Sequence, residues 1–349
     1  MKFFEVLDII NGRNQKQVEN PNGKYPIYGS GGVMGYADDY ICGANTVIIG
    51  RKGSINNPIY VDEPFWNVDT AFGLVAHKEV LLPKFLYYFC VNFNFEQLNT
   101  TVTIPSLTKA NLLQIEIAVP SIEKQGEIVA VLDKVSELID FRYRQLKEID
   151  NLVKSRFIEM FGERYTNDKK WENKPLYECA DFYNGKAHEQ VVDGNGEYIL
   201  VTSRCIASDI TDYRRTNALL FPLKTNDIVM VMSDVPNGRA LAKCLLIDED
   251  NKYTLNQRIC CLRNYAFNPI FFYHLLNRHE YFLSFDDGNA QTNLRKDDLL
   301  ACNVILPPIE LQNQFATFVE QIDKSKFEIQ KSLEKLEILK KSLMQQYFG

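Results

Sequence analysis

Two stretches of the chain place apolar residues at alternating steps of four and three. In the first, Ile128, Leu132, Val135, Ile139, Arg142, Leu146, Ile149, Val153, Arg156 and Met160 trace one seam. In the second, Phe315, Val319, Ile322, Lys326, Ile329, Leu333, Leu336, Lys340, Leu343 and Tyr347 repeat it in the same phase. Each seam is heptad-like with two cationic interruptions, and the matched phase argues that the two segments are partners. The pattern predicts two helices of roughly 33 residues, about 50 Å each at ~1.5 Å per residue. Glu123 and Glu310 stand at their starts, where a carboxylate suits the positive end of a helix dipole. Upstream of each helix the pattern reads as a β-rich, turn-rich domain, closed by a short strand ending in Pro120 or Pro307.

The resemblance between the two halves is literal. Residues 107–162 align with 294–349 at a constant offset of 187, without a gap and with 14 identities in 56 positions, where average residue usage gives roughly 3. Its centre is LTKANLLQIEIAVPSIEKQ against LRKDDLLACNVILPPIELQ. The starts match as well: FFEVLDIINGR from Phe3 resembles LYECADFYNGK from Leu176, at an offset of 173, so the second copy carries 14 extra residues in its middle. The first helix ends at Gly162, and only about a dozen polar residues lead into the second domain. A second helix starting from that domain must run back to meet the first. The expected architecture is α+β: β-rich domains at residues 1–122 and 163–309, separated by a long antiparallel coiled coil of helices 123–162 and 310–349, with an internal pseudo-two-fold repeat and the domains at opposite ends.

Composition changes this picture little. With 46% hydrophobic and 24% charged residues the chain reads as a folded globular protein. No apolar run approaches the ~20 residues of a membrane span and no secretory signal opens the chain, so a cytoplasmic location is expected. The eight cysteines include no Cys-x-x-Cys, and Cys260-Cys261 are adjacent, which predicts reduced and mostly buried thiols, not a metal site or a disulfide framework. A net charge of −6 weighs against a simple nucleic-acid binder. Against it, Arg204, Arg214, Arg215, Arg239, Arg258 and Arg263 fall within one stretch, enough for a local positive face on an acidic chain. The same arginines could equally line a solvated face.

Six features of the sequence approach a chemical motif and fall short of it. YPIYGSGGVMGY, residues 25–36, misses the dinucleotide fingerprint by one place, with Met34 where the third glycine belongs. Gly53-Ser54 has its lysine on the wrong side for a P-loop, so the glycines read as a tight turn between strands. Asn57-Pro58-Ile59-Tyr60 comes one residue short of the base-holding loop of an amino-methyltransferase and has no donor-binding loop upstream; a strand-edge turn is favoured. Asp250-Asn251-Lys252 lacks the upstream carboxylate of a metal-dependent nuclease. His274 and His279, five apart on one expected helix, share no face, and Ser30 and Ser203 sit in no nucleophile elbow. Nothing in the sequence predicts catalysis.

Residues 25–32, YPIYGSGG, followed by VIIGRKGSINNPIYV from Val47 and PFWNVDTAFGL from Pro64, resemble the target recognition domain of type I restriction-modification specificity subunits. NDIVMVMSDVPNGRALA from Asn226 and LNQRICCLR from Leu255 resemble a more divergent branch of it, and the P-x-I-E-x-Q joints at Pro120 and Pro307 match the family's two helical regions. The resemblance implies a non-catalytic reader of double-stranded DNA. Each domain would read one half of a bipartite, asymmetric target, and the helix pair would set the spacing and dock two methyltransferase subunits, with restriction and translocation subunits further out. No cofactor is expected in this chain; S-adenosylmethionine would belong to the methyltransferase partners. Two other classes stay open at this point: a stand-alone DNA adenine methyltransferase and a coiled-coil scaffold without affinity for DNA.

The expected DNA-binding residues are Ser30, Arg51, Lys52 and Ser54 in the first domain and Arg204, Arg239, Gln257 and Arg258 in the second. GRKGS offers two cations and a hydroxyl in a glycine-flanked loop. Arginine can grip guanine, and glutamine adenine, through paired hydrogen bonds. Ser30 either meets a DNA edge or only closes a hairpin. Arg142 and Arg156 are expected to set helix register or pair with acids.

Overall fold

A computed structural model of the chain describes residues 1–98, 106–188, 190–235, 238–288 and 290–349. It forms two compact units, one of residues Met1–Arg144 with Ile329–Gly349 and one of Gln145–Glu328.

The first unit begins with α1 (Phe3–Val6), β1 (Leu7–Asn11), β2 (Tyr25–Gly29), β3 (Gly32–Ala37), β4 (Thr46–Gly50), β5 (Ile59–Val61), β6 (Trp66–Asn67) and β7 (Ala71–Ala76), then α2 (Pro83–Asn92), α3 (Lys109–Leu112) and the start of α4 (Ile122–Phe161). Its strands make an antiparallel sheet in the order β1-β7-β4-β5 and a second sheet, β3-β2-β6, in which β2 and β6 run parallel.

In the second unit come β8 (Asn173–Pro175), α5 (Leu176–Cys179), β9 (Asp181–Asn184), β10 (Tyr198–Val201), α6 (Ser203–Ala207), β11 (Arg214–Thr216), β12 (Ile228–Val231), β13 (Ser233–Asp234), β14 (Cys244–Leu246), β15 (Tyr253–Leu255) and β16 (Ile259–Arg263). They are followed by α7 (Pro269–Leu276), α8 (Glu280–Leu283), β17 (Thr292–Asn293), α9 (Lys296–Leu300), β18 (Asn303–Ile305) and α10 (Ile309–Phe348). The sheets repeat the first plan strand for strand: β9-β16-β12-β14, and β11-β10-β15 with β10 and β15 parallel.

The repeat extends to single residues. Gly12 and Gly185, from the matching NGR and NGK, each press on the turn between the last two sheet strands. A Cβ would lie 1.8 Å from the Val68 carbonyl oxygen in one case and 2.1 Å from that of Asn256 in the other, so only glycine fits. The P-x-I-E-x-Q joint is built around a buried glutamine. Gln125 Nε2 donates to the carbonyls of Val80 and Pro120 at 2.8 and 2.9 Å, and its Oε1 accepts from Leu82 N at 2.8 Å. Gln312 does the same between Pro307 and Asn268, at 2.8 and 2.9 Å. Leu82 and Asn268 are the N-caps of α2 and α7, so one side chain ties the start of each long helix to the start of the helix below it. The closing strand is more regular in the second copy: β18 pairs with β8 over three residues, whereas in the first copy Lys2–Glu116 is an isolated bridge, flanked by bonds from Phe3 N to Ile115 O at 2.9 Å and from Ile117 N to Met1 O at 2.8 Å.

Helix packing is antiparallel in each unit. In the first, Ile128 and Leu132 share a core with Met344, while Tyr143 Oη donates to Glu337 at 2.7 Å, so rising numbers on α4 meet falling numbers on α10. In the second, Lys326 Nζ pairs with Asp150 at 2.7 Å, and Val153 and Phe157 pack with Phe315 and Val319. The seam positions are buried or half-buried throughout. Burial exceeds the seam at the end of α4: Phe157 and Phe161 contact both Phe271 on α7 and Phe315 on α10. Those last turns bury two faces, worth about 1.5–3 kcal/mol for each ring. Arg156 pairs with Glu159 at 2.8 Å and lies over the Phe318 ring, 5.7 Å from its centre.

Seven of the eight cysteines are buried and all are thiols. Cys260 and Cys261, neighbours on β16, face opposite cores, as strand alternation dictates. Burial pushes the thiols of Cys42, Cys260 and Cys302 up to about 12 and that of Cys205 to about 11.

Candidate nucleic-acid interface

In the first unit the four expected contact residues converge. Strands β2 and β3 are joined by Ser30 and Gly31 alone, and Gly32 takes a φ of 116°. The loop after β4 folds back on Gly50: a Cβ there would meet Ser54 O at 2.4 Å and Ser30 Cβ at 3.0 Å. Ser30 is half-buried; Arg51, Lys52 and Ser54 are exposed. The loop is held from below by Ile55, which is 2% exposed, and by backbone bonds of Arg51 to Thr70 and Leu107 at 2.8 and 2.9 Å. Arg51 lies over the Phe72 ring at 5.8 Å, which orients its guanidinium without neutralising it. Around Gly31, Gly32 and Gly53 no other atom would contact an added Cβ, so the backbone at both tips is open to close approach.

The second unit replaces the two-residue turn with a longer excursion that includes α6. Thr202 caps α6 by accepting from Cys205 N at 3.2 Å. The excursion and the β15–β16 turn enclose a cleft of about 270 Å³ whose lining includes Ser203, Arg204, Arg214, Asn256 and Arg258. Arg204 pairs with Asp212 on the same excursion. Among the described residues, neither the Arg214 nor the Arg258 side chain has a hydrogen-bond acceptor or carboxylate partner, and both are exposed. The turn that presents Arg258 is shaped by Asn256, whose Oδ1 accepts from Arg258 N at 3.3 Å and whose carbonyl accepts from Ile259 N at 3.1 Å. Gln257 is exposed at the same turn.

Arg204 and Arg258 thus share one surface, with Arg214, Ser203 and Asn256 as members not picked from the sequence, and Gln257 is exposed on the turn beside it without lining the cleft. Alternation along β11 was the available signal: Arg214 faces out, while Arg215 lies over Tyr213 and donates to the carbonyls of Gly196 and Glu197, both at 3.2 Å. Arg239 is exposed but does not line the cleft; its carbonyl accepts from Arg278 at 2.7 Å. In the motif that contains it, Pro236 and Asn237 lie outside the described residues. Arg263 is removed from any positive face, because it grips Asp227 with both Nε and Nη2, at 2.7 and 2.5 Å, and that carboxylate is 2% exposed.

The rejected motifs have structural occupations. Ile59 and Tyr60 sit on the edge strand β5, with Tyr60 Oη donating to Asn45 at 2.5 Å. Asp250 accepts from Thr225 N at 2.6 Å, which lowers its carboxyl from the usual value, and Lys252 pairs with Glu249 at 2.9 Å. His274 and His279 are not on one helix as the sequence pattern implied. Helix α7 stops at Leu276, Arg278 adopts a φ of 53°, and His279 caps α8 by accepting from Tyr281 N at 3.1 Å.

An α+β chain built twice on one plan, each copy carrying a long helix and an open loop surface, is the class this geometry defines. The sequence profile described as the type I restriction modification DNA specificity domain matches residues 1–151 and 168–340, one segment per copy. The chain belongs to that family. A Haemophilus influenzae protein described as a type I restriction enzyme specificity subunit is 31% identical over 140 residues, 38% of this chain and 36% of that protein's length. The MjaVIII specificity subunit of Methanocaldococcus jannaschii is 22% identical over 330 residues, 86% of this chain and 75% of its own. The crystal structure of the S subunit of a type I restriction-modification system from M. genitalium superposes with a TM-score of 0.62, at 18% identity, covering 100% of this chain and 95% of that one. Among the described residues no helix is long and apolar enough to cross a membrane.

Proposed function

We infer that this chain is the DNA-reading subunit of a type I restriction-modification complex. It would be non-catalytic, with residues 1–122 and 163–309 each reading one half of a bipartite target and the helices 123–162 and 310–349 setting the interval between half-sites. The observation that carries this reading is a pair of open surfaces at the equivalent β2–β3 and β10–β11 connections: the Ser30 turn, joined in the first copy by the Arg51–Ser54 loop after β4, and the cleft of Ser203, Arg204 and Arg214, joined in the second by Arg258 on the β15–β16 turn. Both combine cations and hydroxyls on glycine- or turn-bounded backbone, the mixture that meets phosphates and base edges. Their difference in composition favours an asymmetric target.

Partner docking is supported by apolar side chains that the helix pair leaves outside. Val131, Leu138 and Phe141 are 41, 37 and 47% exposed on α4, and Phe327 and Ile338 are 61 and 69% exposed on α10. Such residues suit methyltransferase subunits, which would bring S-adenosylmethionine and the chemistry; restriction and translocation subunits would join through them. The test is reconstitution with the methyltransferase partner, followed by methylome sequencing. A bipartite, asymmetric methylated motif is expected from the complex and no methylation from the chain alone. Methyl transfer by the pure chain, or no motif at all, would overturn the reading.

A further inference from the structure

The hairpin of the first copy presents an apolar tip that the cationic loop beside it does not explain. Val33 and Met34 are consecutive in β3 and are 53 and 63% exposed. Strand alternation would put one of them inside. They both face out because the ladder slips between them: Ile27 pairs with Gly35 and Tyr28 with Val33, leaving Met34 as the extra residue of a β-bulge. Bulges of this kind re-aim a side chain. The Met34 sulfur lies where a Cβ on residue 29 would stand, 2.6 Å from that position, so Gly29 makes room for it. The tip adjoins Ser30, and Ser30 lies so near Gly50, just before the Arg51–Ser54 loop, that a Cβ on Gly50 would stand 3.0 Å from that of Ser30, so apolar and cationic groups belong to one surface. An apolar contact beside a phosphate-holding loop fits the major-groove edge of a base pair, where thymine alone among the bases carries a methyl group.

Building on the DNA-reading function, we propose that Val33 and Met34 read thymine in the first half-site by packing on its 5-methyl group. The probe is a set of duplexes carrying the motif found by methylome sequencing, with each thymine of the first half-site replaced singly by deoxyuridine, which removes only that methyl. Binding is measured with the chain in complex with its methyltransferase partner. At one or more positions the replacement should weaken binding about fourfold, the worth of one buried methyl-sized group. The same replacement should leave a Val33→Ser, Met34→Ser variant unaffected, and discrimination at the second half-site should be unchanged, which shows that the variant is folded. A first half-site without an A·T pair, the absence of any deoxyuridine penalty, or a penalty that persists in the variant would overturn the thymine contact while leaving the DNA-reading function intact. Failure of the complex to bind any bipartite target would overturn both.

Discussion

Arg258 and Lys52 are both exposed cations, yet a guanidinium and an ammonium meet DNA differently. Arg258→Lys keeps the charge and loses the two-pronged donor. It should cost about 1–3 kcal/mol of discrimination at a single base pair of the second half-site, with other positions unchanged. Lys52→Ala should instead weaken binding to all sequences alike and lower the salt slope by about 1. Binding of the reconstituted complex to singly substituted targets at two salt concentrations separates these outcomes; equal weakening on every sequence by Arg258→Lys would make Arg258 a phosphate contact. Two histidines carry a pH dependence. Burial, followed by Arg164 and Lys326, lowers His274 from 6.5 to about 4. Burial and Arg164 lower His279 to about 4, against the pull of Glu280. Between those values the unfolded chain binds protons that the folded one refuses. Stability is therefore complete above about 6.5 and falls as pH drops toward 4, by on the order of 2 kcal/mol per histidine at pH 5. Thermal melts from pH 7 to 5 should show the loss, and His274→Gln should roughly halve its slope.

At the scale of elements, the two buried glutamines hold joints that repeat. Gln125→Leu would strand the Leu82 N–H and the carbonyls of Val80 and Pro120, at a cost of roughly 2–4 kcal/mol to the first unit. Hydrogen exchange should show faster opening of α2 and the start of α4, with α7 unchanged; equal protection in the variant would mean water replaces the amide. The helices and the repeat were legible because seam period and self-similarity extend over tens of residues. Gln125 and Gln312 were visible as letters of a motif, but the partners that make them joints, the backbone of Val80 and Leu82 in one copy and of Asn268 in the other, lie about 45 residues away, which no local pattern exposes. Phe157 and Phe161 were missed as core because the seam describes one face of α4 and the domain below it buries another. The cleft was half legible. Arg204 and Arg258 stood out as cations, whereas Arg263 looked equal to them until its buried partner Asp227 was placed, and Arg239 was separated from them by loop geometry.

For the whole molecule, the proposed function and the shared plan together predict that each domain is a replaceable reader. Exchanging residues 1–122 for the corresponding domain of another family member should change one half of the methylated motif and leave the other half intact. Methylome sequencing of the hybrid decides it, since a change in both halves would mean that the domains do not read independently. The buried thiols give the native chain one more property. With their ionisation suppressed and their sulfurs out of reach, Cys42 and Cys90 in the first unit and Cys205, Cys244, Cys260, Cys261 and Cys302 in the second react with alkylating reagents only when the structure around them opens. Cys179, half-buried, is the one to react before any opening. The chain thus carries its own set of clocks: the order in which a pulse of thiol reagent marks these positions under rising urea would time the unfolding of each unit separately, without a label added or a residue changed.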